Sequence, residues 1–399
     1  LIVAGVFGVT TGEKIFLIQM ALFAAGVATI IQTVGYKDIG SRLPIIQGTS
    51  FAFIPIMLPF KAFGLGAIFT AAFIGGIFQI WIGKMLKPIR HMFPPLVTGI
   101  VVLMIGISLL KVGFKYAGGG VWLMNNKPEI FANWHHLTIA GTVLIVALLT
   151  NLKGKGMVSA ASILIGIVAG FIVAALFGEV RWAKIAAADW FAFPMPLQYG
   201  IDFVWGAVIL MLFMSIVTTI ETIGDISATT MGGANREATN KELSGGIMAD
   251  GVGTAFASIF NAMPNTSYSQ NAGLVAFTGV ISRHVGTVAG VILILLGLFP
   301  KLGGVIAAMP DSVIGGAAII MFGLIAGAGI KLISKAEMSQ RNILILSLSL
   351  SFGIGLYAFP EFVAHVPDLG IKLGLLLTTG LIPAGLLAFI LNATLPNKK

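Results

Sequence analysis

Three acidic residues stand inside apolar stretches of the sequence, where an ionised side chain needs a specific reason to be present. They are Glu221, Asp225 and Asp250, whereas the other twelve of the 15 acids lie in connections or near the ends of apolar runs. A carboxylate at mid-membrane depth costs at least about 2.5 to 3.5 kcal/mol on insertion scales. Such a group either has a structural role, as a carboxyl group that hydrogen-bonds to a neighbouring helix, or it binds a substrate and carries protons. We favour the second interpretation for the three acids as a group.

Helical spacing brings the three acids to a similar depth. Glu221 and Asp225 are four residues apart and therefore share one face of a helix. A polar turn at residues 232–243 separates that helix from the next one, which carries Asp250. Glu221 lies about ten residues before the turn and Asp250 about seven after its end, so at 1.5 Å per residue they reach comparable depths. We therefore predict that the three acids converge on one site.

A short polar segment interrupts the apolar pattern near residue 268. It begins at a proline and holds Tyr268, Ser269, Gln270 and Asn271 before an apolar run resumes. This composition predicts an extended strand that leads into a half-helix. Backbone groups freed at such a break are tolerated at membrane depth only beside protein or a watery cavity. The adjacent amides of Gln270 and Asn271 offer donors and acceptors that suit a flat polar heterocycle, and an aromatic ring could stack on its face.

A second break, from Pro44 to Pro59, occupies the corresponding place earlier in the chain and contains Phe51. Phe51 and Tyr268 are open to two interpretations, as ring-stacking residues of a site or as ordinary core aromatics. Because two matched breaks are typical of a transporter whose site lies between repeats, we predict a binding site where the two segments meet.

The composition places these residues in a membrane protein. Of 399 residues, 57% are hydrophobic and 10% charged, against roughly 45 to 50% and about 25% in soluble domains. The absence of cysteine excludes disulfides and thiolate metal sites, and the five histidines fall between the apolar runs. The formal net charge of +9 forms no continuous basic stripe, so nucleic acid is not an expected partner. We expect lipid as the surrounding partner and no metal or organic cofactor.

Thirteen apolar runs and a stub near residues 1–9 follow one another along the chain. The runs lie near residues 15–34, 48–60, 65–83, 92–110, 137–151, 158–177, 203–231, 244–260, 266–279, 285–299, 313–331, 340–360 and 371–394. Residues 91–99 resemble residues 307–315, and residues 48–52 resemble 265–269, at offsets of 216 and 217. This duplication predicts two repeats of seven segments, and an odd number forces opposite orientations. The same offset predicts that the sequence begins partway through its first segment.

Lys and Arg at the segment ends predict the orientation. The ends of the even-numbered segments, together with the C-terminus, hold 15 of the 24 basic residues, and the opposite ends hold nine. This excess predicts that both termini lie on the cytoplasmic side of the cytoplasmic membrane.

The stretch from Gln270 to Gly279 resembles the signature of the nucleobase-ascorbate transporters, in which a polar residue and Asn precede Gly and Thr. The resemblance continues through residues 221–225, residues 249–251 and the Phe51 segment, so it covers essentially the whole chain. It implies an all-α polytopic membrane protein of 14 segments in two inverted repeats, with short strands in segments 3 and 10. It also implies a homodimer that associates through its gate domain.

The resemblance divides the chain between two parts that move against each other. A core domain would comprise residues 1–91 and 203–300, and a gate domain would comprise residues 92–202 and 301–399. The implied activity is secondary active transport by alternating access, with no enzymatic reaction.

The resemblance further implies roles in substrate binding. Glu221 would bind ring N–H groups, Gln270 would contact the ring edge, and Phe51 and Tyr268 would flank the ring. Backbone N–H groups near Phe51 and Ser269 would meet the carbonyl oxygens of the substrate.

Other residues would order the site or couple it to an ion. Asn271 would order the site, and Asp250 would couple transport to a proton, with Asp225 and Glu221 as further proton-coupling candidates. The proton is the expected coupling ion, and sodium stays open as an alternative.

The substrate prediction depends on two positions. Uracil carriers of the family have an acid where this sequence has Gln270, and commonly a histidine where it has Asp225. The sequence is therefore closer to the xanthine and urate branch, with proton-coupled purine symport as the expected function. Uracil–proton symport and a related-fold anion carrier remain the alternatives. An intramembrane aspartyl protease is disfavoured because Thr222 stands where such enzymes usually have glycine before the aspartate.

Overall fold

The computed structural model describes residues 1–85, 94–364, 374 and 377–396, and helices make up most of it. Up to residue 187 the helices and the strand are α1 (Ile2–Phe7), α2 (Thr11–Val34), β1 (Gln47–Thr49), α3 (Ile54–Met57), α4 (Gly64–Lys84), α5 (Pro95–Ala117), α6 (Val121–Asn126), α7 (Trp134–Lys153), α8 (Met157–Ala160), α9 (Ser162–Leu176) and α10 (Trp182–Ala187). Short 3₁₀ turns cover Phe51–Phe53, Leu58–Phe63 and Pro128–Ile130.

The second half of the chain also has one strand among its helices. Its elements are α11 (Trp205–Ala234), α12 (Asn240–Ile259), β2 (Asn265–Ser267), α13 (Ser269–Thr278), α14 (Arg283–Gly297), α15 (Pro300–Ala308), α16 (Asp311–Ile333), α17 (Gln340–Ala358), α18 (Pro360–Ala364) and α19 (Leu381–Thr394).

Seven helical stretches among the described residues are long and apolar enough to cross a membrane. They are α2, the stretch Phe51–Lys84, α5, α7, α11, α16 and α17. The pair α14 and α15 forms an eighth candidate with an 80° bend, and α9 and α19 are shorter apolar helices. A helical, multiply spanning membrane protein is therefore confirmed.

Two stretches differ from the predicted runs. Residues 51–60 of the first predicted run and the run at residues 65–83 belong to one helical stretch, Phe51–Lys84. The stretch is interrupted where Gly64 adopts φ 79°, a conformation that glycine reaches without steric cost. The run at residues 285–299 ends earlier, and α15 restarts after the bend with Pro300 in its first turn. An apolar run shows that a segment is buried or lipid-facing, but it does not show where a helix turns.

Some predicted features lie outside the described residues. The first three residues of the duplicated motif at 91–99, the predicted domain boundary at residue 91, and several residues of the predicted run at 371–394 belong to this group. The described part of that last run contains α19.

The polar turn between α11 and α12 fixes the relative position of the helices that carry the acids. Thr239 caps α12, and its side chain and that of Glu242 form a reciprocal capping box. Arg236 donates to both carboxylate oxygens of Glu242 at 2.9 and 2.5 Å. The Arg236 hydrogen bond lowers the pKa of Glu242 to about 2, so the pair stays charged at neutral pH.

Helices α4 and α12 approach each other backbone to backbone. A Cβ added to Gly76 would lie 2.6 Å from the carbonyl oxygen of Gly251, and a Cβ added to Gly251 would lie 2.6 Å from the carbonyl oxygen of Gly76. Since no real Cβ tolerates such a distance, both positions require glycine. Small residues at helix crossings are the usual device for close packing in membranes. This contact holds Asp250, the neighbour of Gly251, at its depth.

We expect Gly76→Val to lower the free energy of unfolding by about 1 to 3 kcal/mol, because the added methyl groups must push α12 away. The matched control is Gly323→Val on α16, where a Cβ meets no atom within 4 Å. Thermal unfolding of both purified variants in one detergent measures the difference. Equal midpoints for the two variants would contradict the close contact.

Candidate functional site

The two breaks meet as a short antiparallel sheet. Gln47 in β1 faces Ser267 in β2, and Thr49 faces Asn265. Further backbone bonds prolong the pairing beyond the strands, from Ser50 N to the Pro264 carbonyl at 3.0 Å and from Tyr268 N to the Ile46 carbonyl at 3.0 Å. Each strand leads directly into a helical stretch. The broken segments thus satisfy their backbone groups through each other, as backbone at membrane depth requires.

The first residue of each strand is anchored to a long helix by a threonine. The Thr29 hydroxyl on α2 donates to the Gln47 carbonyl at 3.3 Å and accepts from Gln47 N at 3.0 Å. The Thr254 hydroxyl on α12 does the same for Asn265, at 3.0 and 3.2 Å. All four residues are buried. One anchor therefore occurs twice, once in each half of the chain.

Asp250 is fully buried beside the sheet, and both of its carboxylate oxygens accept hydrogen bonds. Oδ1 accepts from the side-chain amide of Gln47, and Oδ2 accepts from the Thr222 hydroxyl. These donors come from β1 and from α11, so one carboxylate joins three elements. A buried carboxylate with two donors is well accommodated, because each oxygen recovers a hydrogen bond that it lost from water.

Asp225 is 6% exposed and is tied to the other strand. The Ser267 hydroxyl donates to Asp225 Oδ2 at 2.6 Å. Ser267 Oγ also lies 3.5 Å from Thr222 Oγ1. Asp225 and Asp250 are thus linked through two hydroxyl groups.

Glu221 differs from the two aspartates. Its side chain is half-buried and forms no hydrogen bond within the described residues. It lies close enough to Asp225 and Asp250 for the three charges to interact. The structure therefore brings the three acids together as predicted, and it leaves Glu221 as the member whose oxygens are free for a ligand.

The remaining predicted residues lie at the start of α13. Ser269 and Gln270 are exposed in its first turn, where no side chain caps the helix. The Tyr268 hydroxyl donates to the Thr49 carbonyl at 3.4 Å, and the Asn271 amide donates to the Pro44 carbonyl. Tyr268 and Asn271 thus fasten α13 to the chain around β1, while the Gln270 side chain forms no hydrogen bond with any described residue.

Phe51 stands at the other break and faces a different part of the protein. Its ring packs edge-on against Phe322 of α16, with 5.5 Å between the ring centroids. Phe51 is half-buried and Phe322 is fully buried. This contact joins the first break to a helix of the predicted gate domain.

The sequence interpretation missed four residues that organise the site. Gln47 and Thr222 hold Asp250, and Thr29 and Thr254 hold the strands. The sequence offered one signal, the position of Thr222 next to Glu221. A hydroxyl group between two intramembrane acids is expected to form a hydrogen bond with one of them. Threonines on long helices usually bond to their own backbone, so Thr29 and Thr254 gave no such signal.

A helical membrane protein with two broken segments that cross beside buried carboxylates has the architecture of a membrane permease. The Permease family model matches residues 1–362, and the chain belongs to that family. The predicted nucleobase-ascorbate transporter resemblance is thereby confirmed, and the protein is a transporter rather than an enzyme.

Two curated relatives illustrate the similarity. The chain is 34% identical to the xanthine permease XanP of Escherichia coli over 415 residues, covering 100% of this chain and 88% of that protein. It is 33% identical to the uric acid permease PucJ of Bacillus subtilis over 396 residues, covering 98% and 87%. Among solved structures, the transmembrane domain of the cyanobacterial bicarbonate transporter BicA matches with a TM-score of 0.57 and 17% identity, covering 98% of this chain and 95% of that one. That likeness concerns the fold alone.

We expect Thr254→Val to loosen β2, because the substitution removes the hydroxyl that binds both backbone groups of Asn265. Backbone amides of residues 265–267 should then exchange with deuterium at least about tenfold faster. The matched control is Thr230→Val on α11, whose hydroxyl bonds only to its own helix. Unchanged protection of β2 in Thr254→Val would contradict the anchoring role.

Proposed function

We propose that the protein is a secondary active transporter that carries a purine base, xanthine or urate, together with protons across the cytoplasmic membrane. The observation that carries the proposal is the unpaired Glu221 carboxylate beside two hydrogen-bonded aspartates, at the crossing of two broken segments. The names of the relatives, a xanthine permease and a uric acid permease, support the substrate class.

Xanthine and urate present ring N–H donors and carbonyl acceptors around a flat ring, and the site offers a partner for each. Glu221 accepts from ring N–H groups. The first turn of α13 offers free backbone N–H groups near Ser269, at the positive end of the helix dipole, to the substrate carbonyls. The side-chain amide of Gln270 both donates and accepts, so it can pair with a ring edge that carries both kinds of group.

The aromatic residues supply the faces of the pocket. The Tyr268 ring is held in one orientation by its bond to Thr49, and a Cβ on Gly48 would overlap the Tyr268 hydroxyl. Glycine at this position lets the ring lie against β1. Phe51 approaches from the other break and rests on Phe322. Stacking between such rings and a purine is worth about 0.5 to 1.5 kcal/mol beyond the area that it buries.

Proton coupling follows from the three acids in one site. Proton binding to one carboxylate removes a negative charge, so an electron-rich or anionic purine then meets a less repulsive environment. Asp250 and Asp225 hold the transported proton, and Glu221 binds the purine. Sodium is the alternative coupling ion, and it would require the same carboxylates.

Alternating access requires two bodies, and the packing supports the division into core and gate. In the core, residues 1–91 and 203–300, α2 packs against α14 and α4 against α12. In the gate, residues 92–202 and 301–399, α5 packs against α16 and α7 against α9. In this proposal each of the two inverted repeats of seven segments contributes segments to both bodies. We also assign a homodimer contact to the gate and both termini to the cytoplasm.

The alternatives differ in the site that they need. A uracil carrier of the family would place an acid at residue 270, where this chain has Gln270. An anion carrier of related fold is expected to hold its substrate with a cationic side chain. Every hydrogen-bonding side chain of the site described above is neutral or acidic.

We expect Glu221→Gln to weaken xanthine and urate binding by about 10- to 100-fold, because hydrogen bonds to a charged acceptor contribute about 1.5 to 3 kcal/mol. Titration calorimetry on the purified protein measures the change. Glu237→Gln, in the exposed turn after α11, is the matched control and should bind as the wild type does. A folded Glu221→Gln protein with wild-type affinity would show that Glu221 does not bind the purine.

A further inference from the structure

Two buried hydroxyl groups connect the two aspartates of the site in one line. Starting from Asp225, the line passes from Oδ2 to Ser267 Oγ at 2.6 Å, then to Thr222 Oγ1 at 3.5 Å, and ends at Asp250 Oδ2. Asp225 is 6% exposed, and the side chains of Ser267, Thr222 and Asp250 are completely buried. Bulk water therefore does not serve as the route between the two acids.

We propose that Thr222 and Ser267 relay a proton between Asp225 and Asp250, so that the two acids hold one transported proton between them. The relay rests on the proposed proton-coupled function, and it gives roles to two residues that have no role in that proposal. Thr222 and Ser267 are positioning residues, because they act through the acids and do not contact the purine.

The relay balances as a chain of exchanged protons. Protonated Asp225 gives its proton to Ser267 Oγ, Ser267 passes its own hydroxyl proton to Thr222 Oγ1, and Thr222 passes its hydroxyl proton to Asp250 Oδ2. Asp225 ends as the carboxylate and Asp250 as the acid, while both hydroxyls keep one proton each. No other reactant is needed, and the reverse transfer follows the same path.

Gln47 determines which oxygen of Asp250 takes part. Its side-chain amide already donates to Oδ1, so Oδ2 is the oxygen that can take up the proton while both existing partners stay in place. The amide comes from β1, next to the segment that carries Phe51. The second aspartate is held from β2 by Ser267. Movement of β2 would therefore open the line between the acids, whereas movement of β1 would release Oδ1 of Asp250.

Few other ionisable groups act on the relay. Glu221 on α11 is the third acid near Asp225 and Asp250. β1 and β2 contain no ionisable side chain, and the ionisable residues of α2 and α4 are confined to terminal turns: Glu13, Lys14 and Lys84. Within the described part of the chain around the relay, the three acids are therefore the resting places of the proton.

The relay predicts a separation between binding and coupling. Thr222→Val and Ser267→Ala each remove one hydroxyl at nearly constant volume, and Thr222→Ser keeps the hydroxyl. Thr230→Val is the matched control, since Thr230 is buried on the same helix and bonds only to its own backbone. In proteoliposomes, we would measure accumulation of labelled xanthine driven by an inward pH gradient. Exchange of labelled for unlabelled xanthine without a gradient, and calorimetric affinity, would be measured in parallel.

We expect accumulation in Thr222→Val and Ser267→Ala to fall at least about tenfold, and to fall by a clearly larger factor than exchange and affinity do. Thr222→Ser should restore most of the accumulation, and Thr230→Val should behave as the wild type. Undiminished accumulation in either hydroxyl-free variant would overturn the relay, as would equal losses of affinity and accumulation in both. A wild-type protein that binds xanthine but shows no pH-driven accumulation would instead contradict the proposed coupling itself.

Discussion

The Asp250 carboxylate, held between the Gln47 amide and the Thr222 hydroxyl, is the interaction on which the rest of the site depends. A buried carboxyl group must recover the hydrogen bonds that it lost from water, and it can do so only if its partners are fixed. Gln47 is fixed by its pairing with Ser267 and its bond to Thr29. Thr222 is fixed by a helix. The need to satisfy one carboxylate thus specifies where the first break, α11 and α12 must lie.

The same constraint explains why the threonine anchor of a strand occurs twice. A broken segment cannot satisfy its own backbone in a membrane, so each strand uses the other strand and a threonine from a long helix. Thr29 serves Gln47 and Thr254 serves Asn265 in the same way. The polar side chains of the two anchored residues differ: Gln47 donates to Asp250, whereas the Asn265 side chain is buried without a partner among the described residues. Only the first strand therefore holds Asp250 through its anchored residue.

The chemical types of the residues predicted the site better than the hydropathy pattern predicted where the helices begin, end and bend. Acids within apolar runs marked Glu221, Asp225 and Asp250, and the turn chemistry between α11 and α12 placed them at one depth, because helical rise is nearly constant. The 80° bend before α15 was missed, and so was the joining of residues 51–60 to α4 in the stretch Phe51–Lys84, since hydropathy reports burial and not direction. The roles of Gln47 and Thr29 were also missed, because both bonds join residues whose proximity exists only in the folded chain.

The decisive measurement for proton-coupled purine transport is uptake of labelled xanthine into proteoliposomes, with an imposed inward pH gradient and with or without a protonophore. Competition by urate, uracil, guanine and ascorbate in the same assay defines the substrate. We expect accumulation above the external concentration that the protonophore abolishes, and competition by urate but not by uracil. Accumulation that the protonophore does not reduce, or uptake that uracil inhibits as strongly as unlabelled xanthine does, would rule out proton-coupled purine symport.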